Sequence, residues 1–230
     1  YENAGYLSPQ ILCRLMLEGI ETITNTNVLS MVRKNEEWLL HDKKNKVILN
    51  ADLIIIASGI NSNQFVQTNW IPLVRKQGQI TFFSENKESK ELKCVLSAKG
   101  QLTPPISGMH SIGASFQDSK LQCGFNLKSQ DENLKKIPQF LRPEAIPQNE
   151  LKLDNWSGLR CTTADHLPIV GRVPNYQFYC QEYRDLHHGR HWKNYKPASY
   201  HKDLFILSGL GSRGFTTAPL AARIIADQII

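Results

Sequence analysis

The final segment of the chain constrains the fold most. An apolar run, Leu204-Phe205-Ile206-Leu207, leads through Ser208 into Gly209-Leu210-Gly211-Ser212-Arg213-Gly214-Phe215, and residues 217–229 then carry apolar side chains at helical spacing. This order predicts a strand, a tight turn and a helix in direct succession. The glycines let backbone approach a flat ligand closely, and the first helical turn offers unpaired N–H groups to an electron-rich edge. The spelling is GxGxxG, but a dinucleotide fingerprint opens a βαβ unit with an acidic ribose ligand ~20 residues further on. No second strand follows here before Ile230, so the pyrophosphate reading fails for this turn. A contact with a ring edge remains, beside the plainer reading of a tight turn before a surface helix.

A second apolar run, Asp52-Leu53-Ile54-Ile55-Ile56-Ala57-Ser58-Gly59, is β-branched and closed by small residues. That pattern predicts a buried parallel strand whose end lies against a ligand. Upstream, Ser8-Pro9 caps a predicted helix carrying Ile11, Leu12, Leu15 and Met16 towards Gly19. Short strands are predicted at 28–32, 38–41 and 46–49. From Val74 to Gly171 the pattern changes to strands with prolines, at 79–83, 94–98 and 111–116, with a helix over about 130–140. The return to strand and helix at Asp203 implies that the chain re-enters its first domain. The expected division is 1–72, 73–171 and 172–230.

Composition narrows the class. The 230 residues suffice for a core, and five cysteines without CxxC pairs argue against both a disulfide framework and a metal site. Reduced thiols in a cytoplasmic protein are expected. No apolar run reaches the ~18 residues of a membrane span. The net charge of +6 is concentrated in an insert at 184–202, where Arg184, Arg190, Lys193 and Lys196 alternate with Trp192, Tyr195 and Tyr200. Cations mixed with stacking rings suit phosphates and unstacked bases, although a solvated surface insertion has the same composition. Arg160 stands alone in Trp156-Ser157-Gly158-Leu159-Arg160-Cys161-Thr162-Thr163-Ala164-Asp165, a setting that suits a carboxylate anchor or a structural ion pair.

In order along the chain, Gly5-Tyr6-Leu7-Ser8-Pro9, the strand 51–59, Val74-Arg75-Lys76-Gln77-Gly78-Gln79, the tract 156–171 and the terminal 209–219 resemble the FAD-dependent amine oxidoreductases of the D-amino acid oxidase and glycine oxidase type. Gly113-Ala114-Ser115-Phe116 and Thr217-Ala218-Pro219 further resemble the oxidoreductase domains of bifunctional tRNA-modifying enzymes. The resemblance implies an α/β and α+β architecture: a partial, glutathione-reductase-like FAD-binding domain holding an inserted mixed or antiparallel-sheet substrate domain. It implies that Val28 meets the adenine through its backbone and that Ala57, Ser58 and Gly59 flank the cofactor. Residues 209–215 would cradle the pyrimidine edge of the flavin, and Arg160 would grip the substrate carboxylate. It further implies tRNA as partner, through Arg184, Arg190, Trp192, Lys193 and Lys196, and a methyltransferase domain elsewhere in the polypeptide. Gln101 follows Gly100 where relatives carry an aromatic ring, so no active-site ring is expected there.

The implied reaction removes the carboxymethyl group of 5-carboxymethylaminomethyl(-2-thio)uridine at the wobble position, leaving the aminomethyl group and releasing glyoxylate. A small-molecule glycine or sarcosine oxidase would share every flavin motif, and a non-catalytic tRNA-binding remnant would keep the basic insert alone. The family's opening strand, GxGxxG turn and acidic ribose ligand have no counterpart in these residues, so the chain reads as the later part of such a domain. Residues 1–230 alone are expected to lose FAD on desalting, and a version extended upstream to retain it, as read by visible absorbance. The two cofactor phosphates need helix-start donors that the predicted contacts do not provide.

Overall fold

The computed structural model describes residues 5–118, 124–138, 141, 153–189 and 192–230. The chain divides into two compact units, Glu21–Val74 with Cys161–Ile230, and Tyr1–Ile20 with Arg75–Arg160. Contacts therefore change unit at Ile20/Glu21, at Val74/Arg75 and, for the third time, at Arg160/Cys161, where the sequence suggested Gly171. The reason is pairing: residues just beyond Cys161 fold onto the terminal strand.

The first unit is built on two sheets. β1 (Ser30–Lys34), β2 (Glu37–His41) and β3 (Val47–Ala51) form an antiparallel meander. Asn35 and Glu36 close the first hairpin with φ of 49° and 71°, the left-handed pair a two-residue turn requires. The second sheet takes β4 (Ile54–Ile56), which pairs in parallel with the terminal strand.

The other unit begins its sheet with the long β5 (Val74–Ser84), followed by β6 (Leu96–Ser97), β7 (Gln101–Leu102), β8 (Met109–Gly113), β9 (Gln117–Asp118) and β10 (Leu153–Thr162). The order is β10-β5-β8-β7-β6, with β9 also on β5. Its core is Phe83, Leu102, Ile112, Ile137 and Leu141. This unit also holds α1 (Pro9–Met16), capped by Ser8 as expected but with no buried residue, and α2 (Leu127–Leu134), capped by Asn126. The predicted helix over 130–140 is thus shifted towards the N-terminus, and residues 139–140 lie outside the described residues. Buried Gln79 joins sheet to helix: its Oε1 accepts from the Asn126 N–H at 2.8 Å, and its carbonyl accepts from Asn133 Nδ2 at 2.8 Å.

Back in the first unit, β11 (Ile169–Pro174) is followed by α3 (Tyr176–Glu182), and β12 (Tyr200–Ser208) by α4 (Gly214–Ile229). β12 is central, antiparallel to β11 and parallel to β4. Leu204, Phe205 and Ile206 are buried along it, and Leu204 and Ile206 share a core with Met31, Trp38 and Ile56 from the other strands. α4 packs on β11 and β12 and starts at Gly214, a few residues before the predicted Thr217. The β4 run is shorter than the predicted 52–59 and buried on one side only, since Ile55 is 44 % exposed. Among the described residues no helix is long and apolar enough to cross a membrane.

Because Ile206 is fully enclosed at the centre of this sheet, Ile206→Ala should destabilise by about 2–5 kcal/mol in urea unfolding. Ile55→Ala on the adjacent strand should cost much less, and equal losses would contradict the packing described.

Candidate cofactor turn and carboxylate anchor

The glycine turn is shaped by what lies beneath it. Gly209 has φ +73°, and a Cβ there would come within 2.9 Å of Thr163 Cγ2. Gly211 has φ +58°, and its N–H donates to the Cys161 carbonyl at 2.8 Å. Both positions thus require left-handed backbone, and the first also requires the absence of a side chain. Hydroxyls fix the floor. Ser208 Oγ donates to the Gly59 carbonyl at 3.0 Å and lies 3.4 Å from Cys161 Sγ, while Thr163 Oγ1 donates to the Leu167 carbonyl at 2.7 Å.

The turn carries Leu210, Ser212 and Arg213 into the start of α4, where Gly214 is the first helical residue and Phe215 is exposed. The Arg213 carbonyl receives hydroxyl bonds from Thr216 at 2.9 Å and Thr217 at 2.8 Å. The end of β4 meets the same region: Ala57 and Ser58 are exposed, and Gly59, at φ +56°, opens a short 3-10 turn. The backbone of 209–214 and the tail of β4 are thus joined through Ser208, as a cradle for a flat ring edge needs. Val28 packs against the core, and its carbonyl already accepts from Gln64 Nε2 at 2.9 Å. Any contact it makes to an adenine must therefore share that carbonyl or use its N–H.

In the other unit, Arg160 projects from β10. Its guanidinium carbon lies 5.4 Å from the Phe116 ring centre, and Nη1 donates to the Ser115 carbonyl at 3.3 Å. Gly78 makes its seat, because a Cβ there would fall 1.6 Å from Nη1. The guanidinium is half-buried, which lowers its pKa, and among the described residues no carboxylate pairs with it. A desolvated cation lacking a protein counter-charge is set up to receive an anion. Nearby in this unit, Lys136 is also held below the usual lysine range by burial, and donates to the Ala114 carbonyl at 2.8 Å and to Asn133 Oδ1 at 3.0 Å. The sequence singles out Arg160 but not Gly78 or Lys136, which only non-local packing brings to the same part of the unit.

The cations of the insert are mostly engaged. Lys193 Nζ bonds Asp185 at 3.3 Å and lies 4.8 Å from the Tyr195 ring centre, and Arg184 lies 3.8 Å from Asp185. The Lys196 backbone is held by Glu182 and Tyr183, while Trp192 is 72 % exposed. Arg190 lies outside the described residues. Within those residues no cluster of His, Cys, Asp or Glu is placed to hold a metal ion.

The model of the FAD dependent oxidoreductase family matches residues 1–228, and the chain belongs to that family. FAD is the family's cofactor. Among curated proteins, it is similar to the tRNA 5-methylaminomethyl-2-thiouridine biosynthesis bifunctional protein MnmC of Stutzerimonas stutzeri, 30% identical over 98% of this chain and 35% of that protein. The same protein of Aliivibrio fischeri is 32% identical over 100% of this chain and 35% of its own length. The chain thus spans about a third of these relatives. Among solved structures, iminodiacetate oxidase from Chelativorans sp. BNC1 matches with a TM-score of 0.66 at 20% identity, over 94% of this chain and 52% of that one. Glycine oxidase from Geobacillus kaustophilus matches at 0.63 and 18%, over 87% and 47%.

The two positive-φ glycines separate strain from contact. Gly59→Ala adds only backbone strain, since nothing lies within 4 Å of its Cβ, whereas Gly209→Ala adds a collision with Thr163. Urea unfolding should show roughly 1 kcal/mol lost for the first and clearly more for the second, with Thr163→Ser restoring part of the difference. Equal losses would mean that Thr163 does not shape the turn.

Proposed function

We propose that this chain is the amine-oxidising part of a tRNA wobble-uridine modification enzyme. Its substrate would be the 5-carboxymethylaminomethyl group of uridine or 2-thiouridine, and its products the aminomethyl group and glyoxylate. The observation that carries the reading is Arg160, a half-buried guanidinium without a carboxylate partner among the described residues. The substrate side chain is an N-substituted glycine, so it brings the one carboxylate that such a guanidinium lacks.

Arg160 would hold that carboxylate by two parallel N–H···O bonds and so fix the adjacent carbon. Phe116 and Ser115 hold the guanidinium in place, and Gly78 leaves room for it. When bound, FAD takes up the two electrons of the carbon–hydrogen bond beside the nitrogen, whose proton passes to solvent. The resulting imine hydrolyses with one water to aldehyde and amine. No side chain is assigned as acid or base. Residues 209–215 would hold the pyrimidine edge of the ring, where the start of α4 favours negative charge, and Ala57, Ser58 and Gly59 would flank it.

The tRNA partner and an accompanying methyltransferase domain are read from the relatives, which match nearly the whole chain at about 30% identity. The same matches weigh against a small-molecule glycine or sarcosine oxidase, since the solved oxidases share only 18–20% identity.

Arg160→Lys keeps the charge and loses the fork. In the complete enzyme acting on carboxymethylaminomethyl-bearing tRNA, apparent KM should rise about tenfold or more, with an unchanged flavin spectrum. Kinetics like the wild type would remove Arg160 from the role of anchor.

A further inference from the structure

The first unit holds a groove of about 660 Å³ along β11, and none of residues 209–215 lines it. Three rings face it: Trp70, Tyr179 and Tyr200. Their positions are fixed in advance. Trp70 stacks on Tyr176 at 5.1 Å with its planes 13° apart, and its Nε1 donates to the Gln67 carbonyl at 3.0 Å. Tyr179 meets Tyr183 edge to face at 5.0 Å and Tyr200 at 6.3 Å.

Arg172 and Gln228 border the same groove. Arg172 is exposed, and among the described residues it has no carboxylate partner. A second depression of about 430 Å³ shares Arg172, Tyr200 and Gln228 with the first. Its other cation, Lys202, is neutralised by Glu36, and its Asp203 by Arg33 at 3.1 Å. Arg172 is therefore the cation left for a ligand at the junction. Burial first, then the bond to Tyr200, pushes the Tyr179 phenol up to about 12.

Planar rings beside one unpaired guanidinium and an open amide suit a planar, anionic ligand. The basic segment 184–202 follows α3, which carries Tyr179, and contains Tyr200, so two of the groove's rings bracket most of it in sequence. We infer that the groove takes an unstacked nucleotide of the bound RNA, its base against Trp70, Tyr179 and Tyr200 and its phosphate on Arg172. This rests on the tRNA reading above and names a contact made by residues other than those of the glycine turn.

The test titrates a fluorescent full-length tRNA transcript, and separately UMP and AMP, into the wild-type chain, Arg172→Gln and Tyr200→Ala. Circular dichroism checks that each variant is folded, and the exposed Arg172 gives a substitution that leaves the core untouched. In Tyr200→Ala the tRNA affinity should fall roughly five- to a hundredfold, the range of one lost base stack. In Arg172→Gln the slope of log affinity against log salt should shrink by about one, while UMP and AMP bind at least a hundredfold more weakly than tRNA. Wild-type tRNA affinity and slope in both variants would overturn the groove and leave the tRNA reading standing. Failure of the wild-type chain to bind tRNA would overturn both. Mononucleotide binding as tight as tRNA binding, lost in the variants, would overturn RNA as the occupant.

Discussion

β12 is the strand on which the first unit depends, because both of its edges are paired and its middle is enclosed. β11 and β4 use its backbone groups, and Leu204, Phe205 and Ile206 remove apolar area from water at the centre of the sheet. A strand held this firmly can end in strained backbone. Gly209 and Gly211 turn the chain with positive φ directly onto Thr163 and the Cys161 carbonyl, and the rigid sheet sets where α4 begins. Ser208 ties the end of β4 to the same place.

This part of the fold was legible because its signals are local. An apolar β-branched run, small residues and glycines in a fixed order say strand and turn whatever surrounds them, and Ser8-Pro9 likewise gave the start of α1. The tract from Trp156 to Gly171 was legible as a motif but not as structure. Gly158 and Pro168 obscure the alternation of two strands, β10 and β11, and the change from one unit to the other falls inside β10, where no turn residue marks it. The start of α4 was misplaced because Gly214 is a poor helix former, yet the turn already holds it in register.

Site residues divide in the same way. Arg160 stands out in sequence as a lone cation among small and apolar residues. Gly78 reads as an ordinary strand glycine until the guanidinium is seen over it. Trp70, Tyr179 and Tyr200 come from three separate segments, and only packing brings their rings to one groove. Composition pointed instead at the insert, where Lys193 and Arg184 turn out to be shared with Asp185.

A count of charges treats every cation alike, whereas folding sorts them by whether a counter-charge is already present. Lys202 and Arg33 have theirs in Glu36 and Asp203, so they gain little from an added anion. Arg160 differs, since it has given up part of its water without acquiring a carboxylate among the described residues, a cost that an incoming anion relieves. Arg172 differs in another way: it remains exposed, without a carboxylate partner among the described residues, beside pre-positioned rings, so a ligand there must supply both a charge and a flat surface to gain from the groove. The first arrangement favours a small carboxylate held tightly in one orientation. The second favours a phosphate whose position is set mainly by the base beside it.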